Sequence, residues 1–125
     1  MTQAARRPPR WIILVSRGAP ASLRDLAALS ACATAGGVEV FLVWLGEGLA
    51  SLAGGRLDDP GPSGASAASL FAEARDTGLL RHLACSAAAV DTPGGLETVR
   101  RRVDDVVGWP TVVSLMREAE KTLVW

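Results

Sequence analysis

Short apolar runs alternate with amphipathic segments along the first third of the chain. Residues 11–15 and 38–44 are almost continuously apolar and rich in β-branched side chains, which is typical of strands buried on both faces of a parallel sheet. Between them, residues 22–34 carry apolar side chains at helical spacing, and Gly36 and Gly37 follow as a stop signal. A strand, a helix and a strand in this order predict a βαβ unit with parallel strands.

The same alternation continues to the end of the sequence, so further strands and helices are expected. In chain order they are a helix at 67–77, a strand at 79–85, a helix at 96–102, an edge strand at 103–107, a helix from Thr111 and a strand at 121–125. The pattern predicts an α/β fold of three layers, α/β/α, with a mainly parallel sheet of about five strands and helices on both faces.

Length and composition indicate how this fold is organised. A chain of 125 residues with 49% hydrophobic side chains can build one well-packed core, so residues 11–125 are expected to form a single domain. Residues 1–10 are polar and rich in Arg and Pro, which predicts a flexible tail. Residues 54–66 are rich in Gly and Pro and have little to bury, so they are expected to form a mobile loop, either a lid, a partner contact or a plain insertion.

The charge pattern and the lengths of the apolar runs exclude several classes of protein. Thirteen basic and thirteen acidic residues cancel, and the basic ones do not gather along one face, so no nucleic-acid partner is expected. The apolar runs are far shorter than the roughly 20 residues that cross a bilayer, and they are also short for an export signal. We therefore expect a cytoplasmic protein without a membrane segment.

Two cysteines and one histidine are the residues from which reactive or metal-binding chemistry could come. Cys32, Cys85 and His82 lack the spacing of a disulfide framework or a zinc site, so no metal is expected. Cys85 ends a predicted strand, where open α/β proteins place their sites, and it is the candidate nucleophile. His82 falls on the opposite face of the strand, about 10 Å away, which favours a structural role. Ser86 either caps the turn that follows or hydrogen-bonds the thiolate.

Small residues near two other strand ends suggest a pocket. Gly18 follows the first strand, and Gly46 and Gly48 form a Gly-x-Gly turn after the second, which is weak as a phosphate signature. Together with Trp109 they are candidate ligand-binding residues. The arginines at 100–102 either face solvent or dock an acidic partner.

Four motifs, at 11–20, 38–48, 78–86 and 105–125, resemble in order and spacing those of the DsrE/DsrF-like family, small α/β proteins of sulfur relay and intracellular sulfur oxidation. The resemblance implies a DsrEFH-like fold, a homo-oligomer that is commonly a trimer or a hexamer, and no cofactor. It also implies that Cys85 matches the cysteine on which some members accept sulfur, with protein donors and acceptors. The chain departs from the family at Trp109-Pro110, where small residues are usual, and in the composition of 54–66.

Three functions remain open on the sequence. The first is a sulfur-relay protein that carries a persulfide on Cys85, whose thiolate would be favoured by helix amino termini near Ser86 and Thr111. The second is a non-enzymatic ligand-binding or regulatory module of the same fold with an inert thiol. The third is a structural subunit of a homo-oligomer.

Overall fold

A computed structural model describes residues 7–125, which form one parallel sheet with helices on both faces. The strand order is β4-β3-β2-β1-β5, and every neighbouring pair is parallel. The predicted three-layer α/β/α fold is confirmed. The strands are β1 (Arg10–Val15), β2 (Glu39–Trp44), β3 (Leu80–Cys85), β4 (Asp105–Val107) and β5 (Lys121–Val124).

Helices connect the strands and lie against the sheet. They are α1 (Pro20–Ala35), α2 (Gly46–Ala53), α3 (Ala67–Asp76), α4 (Ser86–Asp91), α5 (Gly95–Arg100) and α6 (Trp109–Glu118). The predicted turn at 46–48 is wrong, because these residues form the first turn of α2. The first helix begins at Pro20, two residues before the predicted segment, and the Ser22 Oγ accepts a hydrogen bond from Trp125 Nε1 at 2.9 Å.

The two faces of the sheet have separate cores because side chains alternate along each strand. On one face, Ile13 and Trp44 pack with α1, α2 and α3 in the larger core. On the other face, Ile12 and Leu83 pack under α6 through Val112. Val113, the next residue, lies about 100° further round the helix and is 44% exposed.

The structure describes the end of the predicted tail and the whole of the predicted loop at 54–66. Residues 1–6 of the predicted tail lie outside the described residues, and β1 starts at Arg10, one residue before the predicted strand. Within 54–66, a 3-10 turn at Arg56–Asp58 buries Leu57, and an antiparallel bridge joins Pro60 to Ser66. The mobility of this segment stays a prediction.

Candidate functional site

Cys85 is the last residue of β3, at the carboxyl edge of the sheet, as the sequence predicted. It pairs with Val107 at the end of β4, and Gly108, the next residue, is the N-cap of α6. Cys85 is itself the N-cap of α4. Strand alternation places its side chain on the same face as Leu83, the face that α6 covers. The cysteine therefore lies where two helices begin, and it is only 2% exposed.

Ser86 and Trp109 flank this position on the surface. Ser86 is the first residue of α4, and the N-cap is Cys85, so the predicted cap at Ser86 is wrong. Its Oγ lies 3.9 Å from the point where a Cβ of Gly108 would stand, which brings the starts of α4 and α6 together. Trp109 follows directly and is 46% exposed. The structure thus groups Cys85, Ser86 and Trp109 at one stretch of the edge.

Gly18 lies at the neighbouring strand end and permits a close approach of α2. A Cβ on Gly18 would stand 2.6 Å from Ser51 Oγ and closer still to the Glu47 carbonyl oxygen. The same Ser51 hydroxyl donates to the Gly18 carbonyl oxygen at 2.6 Å. Gly18, Glu47, Ser51 and Arg56 also line an open cavity of about 520 Å³.

Gly48 and Gly46 both lie in the first turn of α2, and each allows the helix to start close to the end of β1 for a different reason. A Cβ on Gly48 would stand 2.7 Å from the Val15 carbonyl oxygen, so a larger residue would push α2 away from the end of β1. Gly46 is exposed and has a φ of +46°, a left-handed value that favours glycine at the start of α2. Neither glycine lines the cavity beside Gly18, and neither does Trp109.

Cys32 is exposed and lies far from Cys85 along the fold. It stands twelve residues after Pro20, which begins α1 at the carboxyl edge, so it is about 18 Å along the helix axis toward the opposite edge. That position argues against Cys32 as a resolving thiol for Cys85 within one chain.

His82 is buried, and its ring contacts Trp44 and Phe71 of the larger core. Trp44 Nε1 donates to its Nδ1 at 3.0 Å. Burial lowers the pKa of His82 to about 4, with Asp104 opposing this shift and Arg75 adding to it. The ring is therefore neutral near pH 7, and because Nδ1 accepts a hydrogen bond, its proton is on Nε2.

Asp104 holds the edge of the sheet beside His82. Its carboxylate accepts the His82 backbone N–H at 2.7 Å and pairs with Arg75 through two hydrogen bonds of 2.8 and 3.0 Å. Burial acts to raise the pKa of Asp104, but the hydrogen bonds from His82 and Arg75 outweigh it and hold the pKa below its ordinary value. Sequence reasoning missed this cluster, although Trp44 and His82 fall on the same face of adjacent strands.

Replacing Asp104 with Ala is expected to destabilise the protein by about 1–2 kcal/mol, and Arg75→Ala by clearly less. Asp104→Ala leaves the backbone N–H of His82 without an acceptor, whereas Arg75→Ala removes only a half-exposed ion pair. Urea denaturation of the two variants measures the difference. A larger effect at Arg75 would contradict the role assigned to Asp104.

No protein-family model matches the chain, and no curated protein matches it. Within residues 7–125, no three His, Cys, Asp or Glu side chains are grouped so that they could hold a metal ion. In the same part of the chain, no helix combines the length and the apolar character needed to cross a membrane.

The difference in burial between the two cysteines predicts their rates of alkylation. Iodoacetamide is expected to modify Cys32 on the order of tenfold or more faster than Cys85 in the folded protein, because Cys85 reacts only after local opening. The rates are measured on the single variants Cys85→Ser and Cys32→Ser, and they should converge in denaturant. Equal rates in the folded state would show that Cys85 is not protected.

Proposed function

We propose that this protein is a sulfur-relay carrier that accepts sulfur as a persulfide on Cys85 and passes it to another thiol. The observation that carries the proposal is the position of Cys85, at the carboxyl edge of the sheet and beside the first residues of α4 and α6. The positive end of the α6 dipole lies at this edge and favours an anionic sulfur there.

The chemistry needs one thiolate and no cofactor. The Cys85 thiolate attacks the outer sulfur of a donor persulfide, a new S–S bond forms on Cys85, the S–S bond of the donor breaks, and the donor leaves as a thiolate. In the second step an acceptor thiolate attacks the outer sulfur, and the Cys85 thiolate is released. Electrons and atoms balance in each step without an added oxidant.

Access to Cys85 is proposed to come from opening of α4, because Cys85 is the N-cap of this helix and its backbone moves when the helix unwinds. This helix has six residues, three of them alanine, and Ala89 is its one buried residue. The N-cap side chain makes no hydrogen bond, and at the other end the Thr92 hydroxyl donates to the Ala88 carbonyl oxygen at 2.8 Å. Gly94 and Gly95, both with left-handed φ, follow within four residues of its end. A short helix with few packing contacts opens at low cost, so a donor or acceptor protein can reach a thiol that is buried at rest.

Two large apolar side chains are exposed on α6, the helix that covers the Cys85 face of the sheet, and they suit contact with other protein chains. Trp109 and Val113 are one helical turn apart on α6 and are 46% and 44% exposed. We propose that this face joins copies of the chain into a homo-oligomer, a trimer or a hexamer, in the cytoplasm. Sedimentation velocity should find the oligomer, and Val113→Asp should shift it toward monomer; a monomeric wild-type protein would contradict this.

The carrier role is tested by loading and release. The reduced protein is incubated with a small persulfide donor, and the intact mass is followed for the wild type, Cys85→Ser and Cys32→Ser. We expect Cys32→Ser to gain one sulfur atom and to release it when an acceptor thiol is added. Cys85→Ser should show much less loading than the wild type. Equal loading of the two variants, or no loading of Cys32→Ser, would refute the proposal.

A further inference from the structure

A cavity of about 240 Å³ lies on the face of the sheet opposite Cys85. It is bounded by α3, by the 3-10 turn at Arg56–Asp58 and by the residues that follow α5. Much of its wall is apolar, and Leu52, Leu57 and Phe71 contribute their buried side chains to it. The space is therefore suited to the apolar part of a small ligand.

His82 provides a hydrogen-bond donor to this cavity. The residue is 5% exposed and lines the cavity, and its Nδ1 is occupied by Trp44 Nε1 at 3.0 Å. The proton on Nε2 has no acceptor among the described residues. Among these residues the one fully enclosed side-chain polar atom without a partner is Trp11 Nε1, so Nε2 of His82 is not fully enclosed. A buried donor that still reaches the cavity is suited to an acceptor on a bound molecule.

Arginines make the mouth of the cavity positive. Arg101 and Arg102 line it and form no ion pair with any residue of 7–125, while the charge of Arg75 is offset by Asp104. The guanidinium of Arg102 lies 3.5 Å from where a Cβ of Gly55 would stand, so it reaches over the opposite wall. Asp58, also on the lining, is the one carboxylate there and opposes one of the two free arginines.

We infer that the cavity binds a small carboxylic acid whose carboxylate meets the Nε2–H of His82 and the guanidinium groups of Arg101 and Arg102, and whose apolar body packs on Phe71. Two unpaired arginines and one aspartate leave one positive charge, which matches a monoanion. The volume is below the roughly 300–1,000 Å³ of pockets for drug-sized ligands, which limits the body to a single ring or a short chain. Charge-assisted hydrogen bonds in a partly dry site supply the selectivity.

The single histidine of the chain gives a direct readout. Titrations with benzoate and hexanoate are followed in the ¹H–¹⁵N spectrum of the His82 ring. Benzamide is the control that has the apolar ring but no charge, and inorganic phosphate is the control that has the charge but no apolar group. We expect both carboxylates to shift the Nε2 signal to saturation, and both controls to bind about tenfold or more weakly. Absence of a saturable shift with either carboxylate, or equal binding of phosphate or benzamide, would overturn the inference.

The run of arginines supplies matched variants. Arg101→Gln and Arg102→Gln should each weaken benzoate binding by about tenfold, whereas Arg100→Gln, whose side chain lines a different cavity, should leave it unchanged. An equal loss in all three variants would indicate a general charge effect and would overturn the site. The inference is independent of Cys85, so Cys85→Ser should bind benzoate like the wild type.

Discussion

Gly18→Ala is expected to lower the free energy of unfolding by about 3 kcal/mol. The new methyl group would stand 2.6 Å from Ser51 Oγ and against the Glu47 carbonyl oxygen. The carbonyl oxygen belongs to the backbone and cannot rotate away. Relief of this clash requires α2 to move off the end of β1, and the buried hydrogen bond from Ser51 to the Gly18 carbonyl is then lost. Urea denaturation at neutral pH measures the change.

Gly36→Ala is the matched control for this prediction. Gly36 has a φ of −84°, which alanine adopts without strain, and its Cβ would meet Ala33 O at 3.4 Å, close to ordinary contact. We expect its effect to stay within about 1 kcal/mol. If the two variants were equally stable, the close packing of α2 on the loop after β1 would not be a feature of the folded protein.

Stability is expected to fall by up to about 3 kcal/mol as the pH drops from 6.5 to 4. The pKa of His82 is lowered from 6.5 to about 4 in the folded protein, so the unfolded chain takes up a proton in this range before the folded chain does. The contribution is fully present above pH 6.5 and is lost as the pH approaches 4. Asp104, whose folded pKa is also lowered, loses its contribution only at lower pH.

His82→Phe isolates this effect. The variant keeps an aromatic ring against Phe71 but lacks the titrating group, and it leaves Trp44 Nε1 without its acceptor. We expect it to be less stable at pH 7 and to show a much flatter dependence on pH between 6.5 and 4.5. Denaturant midpoints at several pH values measure both. A slope equal to that of the wild type would mean that other groups cause the pH dependence.

The strands were predictable because local sequence decides them. Residues 11–15 and 38–44 are apolar on both faces and become β1 and β2 within one residue of the predicted bounds. Cys85 ends β3 as predicted, since small residues follow a buried run. These features depend on hydrophobic periodicity and on the Gly and Pro residues that end an element, and both can be recognised from neighbouring residues in the sequence.

Features that depend on tertiary packing were not predictable in the same way. Gly46 and Gly48 were interpreted as a turn, but Gly48 is small because α2 approaches Val15, a contact distant in sequence. The burial of Cys85 and the placement of Val113 on the outside of α6 depend on which helices cover which face of the sheet. The sequence favoured a structural role for His82, but its partners on β2 and at Asp104 follow only from strand order.

The position of the transferred sulfur in the wild-type protein tests the central claim most directly. After equilibration with a small persulfide donor, peptide mass mapping assigns the added sulfur to Cys32 or to Cys85. Exposure alone favours Cys32, whereas the start of α6 should stabilise an anionic persulfide on Cys85. We predict that the sulfur resides mainly on Cys85 at equilibrium. Sulfur found mainly on Cys32, or shared equally, would contradict the assignment of Cys85 as the carrier.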